Sequence, residues 1–350
     1  MSVALDQAPR RARLALRLGV FPAMVVCLVL AMLYSISAGR FEVPWARVVE
    51  ILWARVWDLS GSAETMDERI VELVRLPRVL LAALSGAALA VGGAALQGVF
   101  RNPLVSPQVL GISQGGAFGG ALAILLGFHG VVLLGMSFVF GLVALVLVGL
   151  LAHINGRTEV LTVILAGMIV GAFFAALVSV LQFLADPNSS LPAIVYWLMG
   201  SFSTATWARL GLAVPGMVLG LALVWSLRYR LNLLALEEAE ARSLGVNPDR
   251  ERWFIFIAAT MMTGTSVAVA GVIGWIGLVV PHAARLIVGE DHRRLIPASA
   301  LLGAAYLVLI DTLARTLTAA EIPLGVLTAL IGAPVFAVLL RQHFKRAWQA

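Results

Sequence analysis

The sequence predicts an all-α integral membrane protein of about ten transmembrane helices, with both termini on the cytoplasmic side. Three observations carry this prediction. Of the 350 residues, 61% are hydrophobic and 13% charged, with a mean hydropathy of +0.96, whereas a soluble domain is about 45–50% apolar and roughly 25% charged. Apolar runs of about 20 residues, long enough to cross ~30 Å of hydrocarbon, recur from end to end, and no polar stretch is long enough for a separate soluble domain. Basic residues fall mainly in alternate loops, as the positive-inside bias requires.

The runs predict spans at roughly 14–36, 77–99, 109–127, 131–152, 160–184, 208–228, 252–271, 273–288, 295–317 and 323–340, all within one domain, residues 1–350. Arg10, Arg11, Arg13 and Arg17 precede the first run, and Ser35–Ala38 faintly resembles a signal-peptidase site. The run is long for a signal peptide, and keeping it as a helix makes the charge pattern consistent. Arg228, Arg230, Arg250, Arg252, Arg293, Arg294 and Arg341 then share the inner side with the N-terminal cluster. The outer loop 37–76 balances its arginines with Glu42, Glu50, Asp58, Glu64, Asp67, Glu68 and Glu72. Pro44-Trp45 opens an amphipathic helix in that loop, with Val48, Ile51, Leu52 and Val56 at helical spacing. Trp45, Trp53 and Trp57 suit the membrane interface.

Further along, 191–206 is too short to span and is predicted as a short helix near the outer surface. The largest inner loop, 228–252, contains a short helix over 235–246, with Glu237, Glu238 and Glu240 at its positive N-terminal end. Gly245 and Pro248 are expected to stop it. As a connector it needs no role; as a docking helix it would pass motion between the spans and a soluble partner. Small residues recur four apart in three spans: Gly86, Ala90, Ala94 and Gly98; Gly111, Gly115, Gly119 and Ala123; and Gly167, Gly171, Ala175 and Ser179. Such stripes permit close helix approach, either for packing alone or, above all at Gly167 and Gly171, beside a pathway.

Several function classes are excluded or disfavoured. Lys345 is the single lysine among 25 basic residues, preceded by Phe344 and followed by Arg346. A Walker-type phosphate loop, which needs Gly-Lys-Ser/Thr, is therefore absent, and ATP hydrolysis would fall to another subunit. The arginines are scattered singly through short loops, which argues against nucleic acid. Cys27 is alone in an apolar run, so no disulfide or thiolate metal site is expected. His129, His153, His282, His292 and His343 show no metal-ligand spacing, and no catalytic set is visible. Asp311 is the one carboxylate clearly inside a span, where it would cost about 2.5–3.5 kcal/mol in isolation. Arg315, one turn later, is its expected partner; alternatively Arg315 meets an outside partner, or Asp311 relays protons in an ion-coupled secondary transporter.

Longer motifs then converge. Arg75-Leu76-Pro77-Arg78 is followed by SGAALAVGGAALQGVFRNPLVSPQVLGISQGG (85–116), ALEEAEARSLGV (235–246), AVAGVIGWIGLVVPHAARLIVGEDHRRLIP (268–297) and DTLARTLTAAEIPLGVLTALIGAPVF (311–336). Together they strongly resemble the FecCD-type permeases of bacterial binding-protein-dependent importers of ferric siderophores, haem and vitamin B12. The resemblance implies a type II importer permease of the bacterial inner membrane, with ten spans, working as a homodimer with two ATPase subunits and a periplasmic binding protein. ATP and Mg would be held by the ATPase, with no cofactor or metal on this chain. Arg75, Arg78 and Arg315 match arginines that meet glutamates of the binding protein. Glu237, Glu238, Ala239, Ala241, Leu244 and Gly245 match the coupling helix that seats in the ATPase. Asn102, Pro103 and Leu104 match the cytoplasmic gate, although at the inner start of the fifth span Val160 and Leu161 depart from the small hydroxylated residues of the B12 importer. The expected cargo is an iron chelate, with cobalamin as the alternative.

Overall fold

The computed structural model describes residues 10–39, 41–57, 65–154, 157–158 and 160–347. The chain runs through α1 (Arg10–Ser37), α2 (Trp45–Trp57), α3 (Met66–Phe100), α4 (Ile112–Leu125), α5 (Val131–Ala152) and α6 (Val160–Leu184). It continues through α7 (Ser190–Leu198), α8 (Trp207–Leu234), α9 (Glu238–Ser243), α10 (Pro248–Ala270), α11 (Ile276–Val288), α12 (His292–Thr316) and α13 (Leu324–Ala347). Among the described residues, seven helices are long and apolar enough to cross a bilayer: α1 from Gly19, then α3, α5, α6, α8, α10 and α12. Ile112–Leu125, Ile276–Val288 and Leu324–Leu339 are shorter apolar helices. A two-residue antiparallel pair, His153–Ile154 with Arg157–Thr158, joins α5 to α6 and was not anticipated.

α3 is the central helix, packed against α12, α8, α10 and α11. Nearly every residue from Pro77 to Phe100 is buried, so its sequence is apolar all round rather than striped. Backbones approach closely at Gly86, which belongs to a predicted stripe, and at Gly93, which does not. A Cβ at Gly86 would stand 2.1 Å from the Gly303 carbonyl oxygen of α12, and one at Gly93 only 1.9 Å from that of Gly277 in α11. Gly115 and Gly119 meet the α5 carbonyls of Phe140 and Met136 in the same way. Lipid gives helices no hydrophobic reason to associate, so this close packing is what holds the bundle.

The loop expected over 37–76 is shorter than predicted. Thr65 and Glu68 form a capping box, with Glu68 N donating to Thr65 Oγ1 at 3.3 Å and Thr65 N to Glu68 Oε2 at 3.0 Å. Helix therefore begins at Met66 and passes through a wider π turn, Ile70–Arg75, just before Pro77. Proline has no N–H and crowds the preceding turn, and a locally widened helix accommodates it. In α2, Val48 and Ile51 are buried while Trp45, Trp53 and Trp57 are exposed, as their spacing predicts. Residues 58–64 of the loop, and Glu159 at the start of the fifth span, lie outside the described residues.

One further expectation needs correction, and one needs its bounds moved. Pro248 does not stop the short helix α9; it occupies the first turn of α10 behind the Asn247 cap, where a missing N–H costs nothing. The spans predicted at 252–271 and 273–288 are separated by a non-helical segment, 271–275, with Gly271 at φ 72° and Trp275 at φ 69°. Protein rather than lipid covers this break: Gly200 abuts the Ala270 and Val272 carbonyls, and Ser201 N donates to Ala270 O at 2.8 Å. Irregular backbone is tolerated at membrane depth only when it is buried in this way.

Candidate functional site

α3 links two polar sites, one at each of its ends, roughly 39 Å apart at 1.5 Å per residue. At the Arg75 end, Arg78 binds Asp311 of α12 in a fork, Nε to Oδ2 at 3.0 Å and Nη2 to Oδ1 at 2.8 Å. Its other faces reach Glu321, Nη1 to Oε1 and Nη2 to Oε2, each at 2.9 Å. Asp311 is wholly buried. Its expected partner Arg315 is the more distant one, with Nε at 3.7 Å. Asp311 is thus closed off by Arg78, an arrangement unsuited to relaying protons.

The three predicted docking arginines are not free at the surface. Arg75, Arg78 and Arg315 are 6%, 8% and 7% exposed. Arg75 donates to the carbonyls of Ile36 (2.6 Å), Ser37 (2.8 Å) and Phe41. Arg315 donates to Ala38 O at 2.5 Å and to the carbonyl and hydroxyl of Ser35. These bonds pull the end of α1 and the following turn onto α3 and α12. Gly39 is needed there, since a Cβ would lie 2.7 Å from Arg75 Nη2 and 3.1 Å from Arg315 Nη1. Above the cluster is an open depression of about 460 Å³, lined by Gly39 and the stretch Arg315–Ala319.

At the Arg101 end, a cleft of about 880 Å³ lies between the ends of α3, α8, α11 and α13 and the start of α12. Asn102 and Pro103 line it, while Leu104 is 49% exposed beside them. Asn102 Oδ1 accepts from Leu104 N at 2.9 Å, an Asx turn that fixes this lip. Asn232 of α8 donates to Asp291 at 2.8 Å and accepts from His292 N at 2.9 Å, tying α8 to the N-terminus of α12. Arg293, then Asn232, hold the Asp291 carboxyl well below the ordinary carboxylate range. Gly167 and Gly171 are elsewhere: they seat the 3₁₀ turn Pro107–Leu110 and Gly111 on α6, with a Cβ at Gly167 only 2.0 Å from Val109 O.

Helix α9 stands at this same end. Glu237 is its N-cap, and Glu237, Glu238, Ala239, Leu244 and Gly245 are all exposed, leaving Ala241 as the buried anchor. Gly245 at φ 80° ends it with a Schellman turn, Gly245 N to Arg242 O at 3.0 Å and Val246 N to Ala241 O at 3.1 Å. Arg252, buried in the first turns of α10, binds Glu238 at 2.7 Å. That bond pulls the Glu238 carboxyl below its usual range. A six-residue helix is too short to be stable alone, so the Schellman turn and Arg252 hold its shape. Sequence reasoning missed Asn232 and the Arg252–Glu238 bond at this end, because the partners lie 59 and 14 residues away in the chain, beyond any local spacing rule.

Residues 27–342 match the FecCD transport family. The chain belongs to that family. Among similar proteins, this FecCD protein is 42% identical over 317 residues to the molybdate import permease MolB of Haemophilus influenzae, covering 91% of this chain and 94% of MolB. It is 42% identical over 283 residues to the hemin transport permease HmuU of Yersinia pestis, covering 78% and 84%. It is also 42% identical over 290 residues to the cobalamin import permease BtuC of Halobacterium salinarum, covering 82% and 77%. A solved metal-chelate type ABC transporter in an inward-facing conformation superposes with TM-score 0.84 at 40% identity, covering 93% of this chain and 99% of that one. The FecCD protein is thus a multi-pass ABC transporter permease, a non-catalytic membrane subunit whose ATPase is a separate chain.

Proposed function

We propose that the FecCD protein is the permease of an importer that carries an iron chelate, haem or ferric siderophore, from the periplasm to the cytoplasm. It would work as a homodimer with two ATPase subunits and a periplasmic binding protein. The observation that carries this reading is α9: a preformed helix with its acidic face exposed, clamped to α10 by Arg252 at the Arg-rich end of the bundle. On this reading that end is cytoplasmic, the three shorter apolar helices complete ten crossings of the bacterial inner membrane, and both termini lie on its cytoplasmic side. ATP binding would move α9 and favour one arrangement of the spans over the other.

The binding protein would dock at the Arg75 end. Among the described residues, no carboxylate lies within salt-bridge distance of Arg75, which has only carbonyls as partners. Arg75 and Arg315 would therefore form a recessed positive floor at the Gly39–Ala319 depression, able to attract acidic side chains without being free contacts, while Arg78, paired with Asp311 and Glu321, would hold that floor in place. Asn102, Pro103 and Leu104 would form the cytoplasmic gate lip. Gly167 and Gly171 would let the turn beyond that lip move with α6.

On this reading the exposed face of α6, where Leu165, Met168, Ile169 and Phe173 carry no charge, would border the pathway. Such a wall suits an apolar-skinned cargo and gives a bare dianion nothing to bind. Molybdate is the second reading, because the match to MolB extends over more of both chains than the match to HmuU; cobalamin follows from BtuC. The deciding experiment is ATP hydrolysis by the reconstituted complex with its binding protein loaded in turn with haem, a ferric siderophore, cobalamin and molybdate. Stimulation by an iron chelate alone supports the assignment. Stimulation by molybdate alone overturns it.

A further inference from the structure

The end of α3 and the end of α8 are joined by one side chain. Arg101 closes α3 in the left-handed region at φ 49°, which glycine adopts readily and long side chains rarely. Arg101 N donates to Gly98 O at 3.3 Å and Asn102 N to Gln97 O at 3.1 Å, completing the cap. The turn directs the guanidinium across to α8, where Nε donates to Leu234 O at 3.1 Å and Nη2 donates to Leu236 O. The last carbonyls of a helix lack intrahelical partners and carry the negative end of its dipole. A planar, forked cation is suited to meeting that last carbonyl, Leu234 O, and the Leu236 carbonyl in the connection to α9 at once.

Both neighbours of this contact are functional on the importer reading. Leu236 lies two residues before Glu238, the first residue of α9. Asn102 follows Arg101 directly and holds the lip through Leu104 N. Arg101, Asn102 and Pro103 line the same cleft. Two other attachments of α9, Glu238 to Arg252 and Arg242 to Asp249, lead into α10. A cap for α3 alone would be satisfied by glycine; the strained backbone is retained where its side chain has a partner.

We infer that Arg101 is the link that carries displacement of α9 to the Asn102–Leu104 lip. It is a positioning residue, separate from the α9 residues that would meet the ATPase and from the lip itself. The inference rests on the proposed importer function, and its test needs no chelate. In a Cys27→Ser, Leu104→Cys background, the full permease–ATPase complex is placed in lipid nanodiscs. The introduced thiol is then labelled with a bulky hydrophilic maleimide, without nucleotide and with ATP plus vanadate. With Arg101 present, the labelling rate is expected to change about tenfold between the two conditions, within the usual range for coupled sites. With Arg101→Gly, whose backbone suits the left-handed cap, the change should shrink to roughly twofold or less. The ATPase should still copurify and the thermal midpoint should be unaltered. Arg101→Lys, which keeps the charge but not the fork, should recover part of the response.

An undiminished nucleotide response in Arg101→Gly overturns the inference. If that variant does not fold, Arg101→Asn takes its place, since Asn also tolerates the left-handed backbone and is too short to reach α8. Failure of the Arg101-containing parent to bind the ATPase sinks the importer reading instead, which separates the two failures.

Discussion

Arg78→Ala gives the most direct test of the Arg75 end. In the native arrangement the Arg78 guanidinium reaches Asp311 at 2.8–3.1 Å and Glu321 at 2.9 Å. Removing it leaves the wholly buried Asp311 carboxylate facing only Arg315 Nε at 3.7 Å. Breaking a buried ion pair from one side costs about 3–5 kcal/mol, because the remaining charge stays desolvated. At roughly 2 °C per kcal/mol for a chain of this size, the thermal midpoint in detergent should fall by about 6–10 °C. Asp311→Asn added to Arg78→Ala removes the orphaned charge, so the double variant should lose less than the sum of the singles. Thermal unfolding read by size-exclusion chromatography of the heated protein checks all three. A midpoint unchanged by Arg78→Ala, or strictly additive losses, would refute the closed cluster and restore Arg78 as a free contact for a binding protein.

Gly86→Leu should prevent assembly of the α3–α12 pair, because even a Cβ would lie 2.1 Å from the Gly303 carbonyl; a monodisperse, thermally normal variant would contradict the packing. Gly39→Ala should shift the Arg75 and Arg315 guanidinium groups, and a weaker affinity for the loaded binding protein than in the native permease is the expected result. Gly245→Val forces a β-branched residue to φ 80° and should cost about 1–2 kcal/mol of local order. Gly245→Asn should be milder, and ATPase-subunit affinity measures both. Glu238 has a lowered pKa through its bond to Arg252, so it contributes stability above its unfolded pKa and loses it as pH falls through the folded value. The Glu238→Gln variant should therefore be less stable than the native protein at pH 7, and the two should converge as pH falls below about 4. A constant difference across that range would remove the ion pair from the account of α9.

Much of the architecture was legible in the residues because a bilayer imposes strong local rules. Apolar length located the long helices, the spacing of Val48 and Ile51 gave the buried face of α2, and glycines four apart marked close helix contacts. The sites were legible only as positions. Arg78 and Asp311 are 233 residues apart in the chain, and nothing local ranks Arg78 above Arg315, whose i,i+4 spacing made it the expected partner. The sequence placed a boundary between 271 and 273, but the length of the break, 271–275, was hidden inside an apolar run, since it is covered by residues 200–201, which no periodicity connects to it. Pro248 could end one helix or begin the next, and the fold chose the second.

The sequence alone therefore determined what each short stretch obeys: membrane solvent, helix period, turn chemistry and the absence of a Walker-type phosphate loop. Only the tertiary structure decided which charges meet. It enclosed Arg75, Arg78 and Arg315 within the subunit and aimed Arg101 at the end of α8. The physical reason is that desolvation and hydrogen-bond geometry depend on neighbours brought from far along the chain, whereas hydrophobic length and backbone preference do not.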